Sequence, residues 1–486
     1  MHIHSTARRM IAALLALGIL CLAACTAADP GLPTIQTPTL SDDELPTTPP
    51  TRPSSDVDYE ALAHAVFSDA KDAPAADFTW EESAEGLTLT AYHGAGGVVI
   101  IPASLDGKSV IALGDELFRD NTAIIALSIP DTVTSIGTSL LTGCKSLQVL
   151  RTPQMGKTRT DAQYLAYLFG ATSAQGGAFK IGSALDTVIL SDAFTKLDSQ
   201  AFFGCYRLIM VILPKTLTDI GSYAFCGCSS LKYVTMPEAL TVLGEGALSE
   251  CTSLLSLTIP DSVKEMGLGA LMGCNSLVEL SVPFVGQTAT ENNHLGYLFG
   301  AKAYTWNASF TPASLAYLTV RHGEVGNYAF YECRSLYDIA LPPKSMQIGV
   351  RAFHGCHNLL SVELPDGITH IGDMAFSDCR SLTDVTLSDQ LVDIGMQTFM
   401  DCVNLKEIII PDGVTMLPPS LFAGCKRLEK VTVSDALTTV DDAVFRHCIS
   451  LKSFCTPSGA PVDADRVAIG RDNDALISCG VLPSAD

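Results

Sequence analysis

LKYVTMPEALTVLGEGALSEC, residues 231–251, is the stretch that decides the architecture. Its apolar positions Leu231, Val234, Met236, Leu240, Leu243, Leu248 and Cys251 return in the same frame as Leu254, Leu257, Ile259, Val263, Met266, Leu271 and Cys274. Val234 and Met236 alternate with polar neighbours, so this half of the unit reads as a short strand with those two side chains inward. Pro237 ends the strand, because proline has no amide to give to a ladder. Gly244 marks a bend after a second short extended segment at Leu240–Leu243. The stretch from Glu245 to Glu250 is too short for a stable helix, so a turn packed by Leu248 is expected there.

Cysteine marks the period. Cys205, Cys228, Cys251 and Cys274 are spaced by 23, and so are Cys333, Cys356, Cys379, Cys402, Cys425 and Cys448. A period in the 20–29 range carrying alternating aliphatic residues indicates a leucine-rich-repeat solenoid, in which each unit covers its neighbour's apolar face. The Ala-Phe-type position recurs at Phe118, Leu141, Phe202, Phe225, Leu248, Leu271, Phe330, Phe353, Phe376, Phe399, Phe422 and Phe445. The fold class is therefore mainly β: a parallel-sheet solenoid of 23-residue rungs with two lateral inserts and end caps. The expected segments are an N-terminal cap over 56–97, the solenoid over 98–457 with inserts near 154–184 and 284–314, and a C-terminal cap or tail over 458–486. Within the cap, Asp56 to Phe67 is amphipathic and reads as a short helix; the alternation from Leu87 to Tyr92 reads as strand.

The unit resembles the BspA-like leucine-rich-repeat proteins of bacteria. DGITHIGDMAFSDC, residues 366–379, shows the pattern, and Thr90–Gly94 leading to Ile101-Pro102 and Asp106-Gly107-Lys108 resembles that family's first repeat. The resemblance spans roughly residues 78 to 457. It implies a surface protein that adheres to cells or matrix proteins, in a family whose roles are mixed, so it informs fold more than partner.

The N-terminus reads as an export signal. Arg8 and Arg9 precede an apolar run, Met10 to Ala24, that is short for a membrane span and ends in Leu22-Ala23-Ala24-Cys25. This resembles a bacterial lipoprotein signal over residues 1–24, with Cys25 as the acylated residue. From Thr26 to Ser55 seven prolines and seven threonines leave little to bury, which makes residues 25–55 an anchor and spacer. The expected location is the cell envelope, lipid-anchored and exported, on the outer surface, with contact to membrane only through the anchor. The net charge of −22 argues against nucleic acid and anionic lipid as partners.

Chemistry has little support. No HExxH, GxSxG, phosphate loop or EF-hand spacing occurs, so no enzyme activity, cofactor or metal is expected. Eleven cysteines, the ten above and Cys144, share one rung position and stack as a file. Neighbours about 4.8 Å apart with parallel Cβ vectors suit neither a disulfide nor converging metal ligands. They read as small buried residues bonding weakly to the next turn's backbone. His354-Gly-Cys356-His357 looks like a ligand set, but Cys356 belongs to the file. Cys455 and Cys479 stand apart; a bridge fastening the tail is one arrangement they allow, and two free thiols the other.

Binding is the leading functional reading, with a protein or glycan at the cell surface as partner and the chain as a monomer. The alternative is an envelope-structural scaffold with no external ligand. The outward sheet positions are the candidate ligand face: Ile209, Met210, Ile212, Lys232, Tyr233, Thr235, Leu255, Thr258 and Glu279. Ile209, Met210 and Ile212 are more apolar than a solvated strand needs. The two inserts match. Pro153 and Pro283 are each followed by Tyr-Leu-Phe-Gly-Ala, at 167–171 and 297–301, before Leu185 and Leu315 re-enter the strand. The aromatic runs read as small satellite cores. The loop tips Lys157, Arg159, Glu291, Asn292, Asn293 and His294 are the second set of contact candidates, framing a saddle on the sheet.

Overall fold

The computed structural model describes residues 50–53, 58–175, 177–291 and 293–482. It is a mainly β, parallel-sheet solenoid of coils about 23 residues long, and it divides into two compact units. Of the described residues, the first unit holds 58–217 and 228–237, and the second holds 50–53, 218–227 and 238–482.

In the first unit, strands Gly97–Ile100, Ile124–Ser128, Val149–Thr152, Thr187–Leu190, Met210–Ile212 and Tyr233–Val234 pair side by side as one sheet, here called the front sheet. Every pairing is parallel, with one register shift at Gly97/Val98 beside Ile124–Ser128; the rest run in step, Leu127 beside Leu150, Leu150 beside Val188, Val188 beside Val211. The register follows from the sequence: inward Leu150, Val188 and Val211 are fully buried, and a one-residue slip would turn them out. At the N-terminal end, Phe78–Glu82 pairs antiparallel with Leu87–Tyr92, which pairs parallel with Lys108–Leu113. Helix α1, Tyr59–Ser68, is capped by Asp58, whose Oδ1 accepts from the Ala61 amide at 2.8 Å.

In the second unit the corresponding strands, its own front sheet, form three successive parallel groups: Ser256–Thr258, Glu279–Val282, Tyr317–Val320 and Asp338–Ala340; Ser361–Glu363 and Asp384–Thr386; Glu407–Ile409, Lys430–Thr432 and Ser453–Cys455. Two-residue strands at the back pair likewise, as in His370–Ile371 beside Asp393–Ile394. Phe330, Phe353, Phe376, Phe399, Phe422 and Phe445 stack as a column with centroids 5.0–5.8 Å apart. Offset aromatic stacking of this kind adds roughly 0.5–1.5 kcal/mol per pair beyond area burial.

Gly244 serves a different purpose from the expected bend. Its φ is not positive; a Cβ built there would lie 2.5 Å from the Ser222 amide nitrogen. The coils approach too closely at this position for any side chain, and Gly267, Gly349, Gly372 and Gly395 repeat the contact. The turn around each Phe-type residue instead uses left-handed backbone, at Arg351, Met374, Gln397, Ser420 and Ala443 among others, with φ between +53° and +59°.

Both inserts carry an apolar turn that takes a place in the stack. In the first unit the 3-10 turn Leu165–Phe169 is joined on both sides: the Leu141 amide donates to Leu168 O and the Leu165 amide to Ala201 O. In the second unit Leu295–Phe299 is joined in the same way, by Leu271 N to Leu298 O and Leu295 N to Ala329 O. The Tyr-Leu-Phe runs are thus core, as Leu168, Phe169, Leu298 and Phe299 show by their burial.

The cysteine file has the expected form. Nine thiols donate to a carbonyl 26 residues earlier at 3.0–3.4 Å, for example Cys144 to Phe118 and Cys379 to Phe353. Cys205 and Cys333, each following an insert, lack that acceptor and sit 3.9 Å from Phe203 O and Tyr331 O. Cys455 and Cys479 are both free thiols. The C-terminal end is closed by a side chain: Asn473 Oδ1 accepts from the Phe445 amide at 3.0 Å, where in earlier coils the next turn's carbonyl would stand.

Candidate functional site

The outward positions of the front sheet differ between the units. In the first, α1 lies on them. Ala63 and Val66 of the helix join Ala126, Val149, Ile189, Met210 and Ile212 in one buried cluster, edged by Tyr59, Phe67, Val98 and Tyr233. Met210 and Ile212 are each 2 % exposed, so their apolar character is met within the chain. Tyr59 and Tyr233 pack ring to ring at 4.7 Å. The amphipathic stretch before the first strand thus supplies a cover for the sheet face. Ile209, Lys232 and Thr235 are half-buried, and the Thr235 hydroxyl bridges to the Leu213 backbone.

In the second unit the outward side chains largely face water. Leu255 is 47 % exposed, Leu360 39 % and Ile409 69 %, and Thr258, Glu363, Asp384, Lys406, Glu407 and Lys430 are exposed beside them. Three residues at one register stand out. Glu279 pairs with Tyr317, and Tyr317 pairs with Asp338, so a phenol ring lies between two carboxylates on adjacent strands. Pro50–Pro53 lies over this row. Arg52 Nη2 is 2.7 Å from Asp338 Oδ2, its Nη1 is 3.5 Å from Glu279 Oε1, and its guanidinium carbon is 4.3 Å from the Tyr317 ring centre. The Tyr317 hydroxyl donates to the Pro50 carbonyl at 2.8 Å. Of these residues the sequence reading singled out Glu279 as a ligand contact. Tyr317 escaped because it follows the second insert, where the period restarts at Leu315.

The loop-tip candidates fall into different places. Arg159 donates to the backbone oxygens of Asp131 and Val133, and Lys157 O accepts from the Ile136 amide and the Gln154 side chain. His294 is buried, with Nδ1 2.9 Å from Asn307 Oδ1, and burial pushes its imidazole pKa down. Glu291 is exposed, its backbone oxygen accepting from Gln287; Asn293 is half-buried, and Asn292 lies outside the described residues. Cys25 lies outside them too.

Around His354-Gly-Cys356-His357 the side chains diverge. Cys356 donates inward to Phe330 O, His354 stacks on Tyr331, and His357 Nε2 is 3.0 Å from Asp378 Oδ2. Among the described residues no group of three or more His, Cys, Asp or Glu side chains converges as metal ligands would. Burial pushes the file thiols up, to about 11 for Cys144 and about 12 for Cys274 and Cys448, which keeps them protonated as donors to their carbonyl partners.

Comparison with known proteins places the chain. A leucine-rich cell surface protein of Faecalibacterium prausnitzii A2-165 is 21 % identical, with 86 % of this chain and 100 % of that one covered and a TM-score of 0.31. A leucine-rich repeat protein of Bacteroides ovatus ATCC 8483 is also 21 % identical, over 78 % of this chain and 98 % of that one, with a TM-score of 0.35. The pneumococcal vaccine antigen PcpA is 18 % identical over 82 % and 93 %, with a TM-score of 0.24. No curated protein matches. The family model for the BspA type leucine rich repeat region, in 6 copies, matches residues 104–165, 171–292 and 323–452. With well over half of its residues in that match, and with the coil, the phenylalanine column and the thiol file all in phase, the chain belongs to the BspA-type leucine-rich-repeat family.

Proposed function

We propose that this is a lipid-anchored surface protein that binds a protein partner through the front sheet of its second unit, without chemistry. One observation carries the reading. The outward positions from Leu360 to Lys430 present Leu360 and Ile409 among exposed charges on a parallel array, whereas in the first unit Met210 and Ile212, the latter at the place of Ile409, are buried under α1. Exposed aliphatic residues ringed by charge on a stiff scaffold suit an interface with a small apolar centre and a polar rim. Anchoring through Cys25 and the Pro/Thr-rich spacer would hold that face away from the membrane.

Capture of partners from host-cell or neighbouring-cell surface extracts by the full chain tests this, beside the double variant Leu360→Asp/Ile409→Asp. Loss of capture in the variant supports the reading. Capture that survives both changes ends it, and a partner drawn only from the producing cell's own envelope favours a scaffold. Protease treatment of whole cells and loss of fatty-acid labelling in Cys25→Ser test display and anchoring.

A further inference from the structure

The row Glu279–Tyr317–Asp338 holds one extended segment by two kinds of contact. The ring and its flanking carboxylates take the Arg52 guanidinium, and the phenol takes the Pro50 carbonyl. A guanidinium is planar, stacks on an aromatic face and offers donors in its plane toward carboxylates on either side; an ammonium cannot do all three. The sequence of the segment fits such a groove. Pro50 and Pro53 favour an extended backbone on either side of Arg52, which is the sole cation between Thr26 and Ser55.

We propose that this row is a recognition site for an arginine within a proline-flanked extended segment of a protein partner, and that Pro50–Pro53 is its internal occupant. The proposal rests on the front sheet being the working surface and names what that surface reads at one place. The internal contact is built to yield. Arg52, Asp338 and Glu279 keep 55 %, 50 % and 32 % of their side-chain exposure, and ion pairs this open hold only weakly. The tether nevertheless gives the internal segment an effective concentration on the order of millimolar, so an incoming segment competes against it.

The test uses the full chain and a fluorescent peptide of residues 48–55, TPPTRPSS, followed by anisotropy. Removing the occupant with Arg52→Ala should strengthen peptide binding about tenfold over the unaltered chain, because the local competitor is gone. Replacing the peptide's arginine by lysine should weaken binding about tenfold. Tyr317→Ala, and separately Glu279→Gln with Asp338→Asn, should abolish it in the Arg52→Ala background, with unchanged melting temperatures showing that each chain is folded. Equal binding of the arginine and lysine peptides, binding that survives Tyr317→Ala, or no binding to Arg52→Ala would overturn the proposal. Absent peptide binding alongside partner capture that Leu360→Asp/Ile409→Asp destroys removes this site and keeps the sheet-face reading. Peptide binding with capture indifferent to those two changes confines the interaction to this row.

Discussion

The Cys379 thiol donates to the carbonyl oxygen of Phe353, 3.2 Å away and 26 residues earlier, across the seam between two coils. The same bond recurs at nine positions of the file and makes each of those cysteines the donor for a carbonyl in the preceding turn. Cys379→Ala should therefore cost about 1–2 kcal/mol, mostly from the missing sulfur and less from the lost second bond to a carbonyl that keeps the Cys356 amide as donor. Urea unfolding checks this, and a cost no greater than that of an exposed substitution would deny the bond any role. Since the thiols are free and burial raises their pKa, native protein at pH 8 should leave the file unmodified by a disulfide reagent. Half-buried Cys226 and Cys479 should react first. Dithiothreitol should not lower the melting temperature.

Two small substitutions should act in opposite directions. A Cβ at Gly372 would lie 2.6 Å from the Val350 amide nitrogen and 2.8 Å from the Gly349 carbonyl carbon, backbone that cannot turn aside, so Gly372→Ala should destabilise by about 2–3 kcal/mol. Ala443 holds φ at +59°, a conformation that glycine adopts freely, so Ala443→Gly should stabilise by up to about 1 kcal/mol despite the greater freedom glycine brings to the unfolded chain. Thermal melts of the two variants distinguish the causes. A stabilised Gly372→Ala beside a destabilised Ala443→Gly would mean that the repeat senses glycine only as flexibility.

These glycines show what was legible in the sequence and what was not. The period, the inward side chains and the thiol file follow from residues repeating in phase, and such repetition survives without any knowledge of how far apart two coils lie. The reason for Gly244 does not, because it depends on backbone approaching backbone across the seam. The same holds for the face. Met210 and Ile212 were readable as outward and apolar, which is correct, but their partner is Val66, separated from them by more than a hundred residues and lying outside the repeat. Tyr317 and Asp338 acquire meaning only when the strand register sets them beside Glu279 and brings Arg52 over the ring.

Asp186 should make the first unit's stability depend on pH. Burial pushes its carboxyl up to about 6, only partly offset by the Thr187 hydroxyl at 2.8 Å. The folded chain then holds a proton that the unfolded chain, with an ordinary value near 3.8, has released. The contribution is most favourable below about pH 4, falls as pH rises through 4 to 6, and stays low above that. Asp186→Asn removes the penalty, so it should stabilise by about 1–3 kcal/mol at pH 7.5 and by little at pH 4. Urea midpoints for both proteins at the two values check this. A difference independent of pH would show that the carboxyl ionises normally.

Val66 on α1 tests whether the helix is held by its apolar face. Burying one such side chain contributes about 1.5–3 kcal/mol, and an aspartate there would also bring an unpaired charge into the cluster of Met210 and Ile212. Val66→Asp should release α1 while the repeat itself, with its own core of stacked coils, stays folded. The expected signs are rapid proteolysis within residues 54–70, new binding of a hydrophobic dye to the uncovered Met210 and Ile212, and a far-ultraviolet spectrum that keeps its β character. Ala63, Phe67 and the Tyr59–Tyr233 contact alone would not hold the helix against a buried, unpaired charge. Protease resistance equal to that of the unaltered chain would therefore refute the apolar cover.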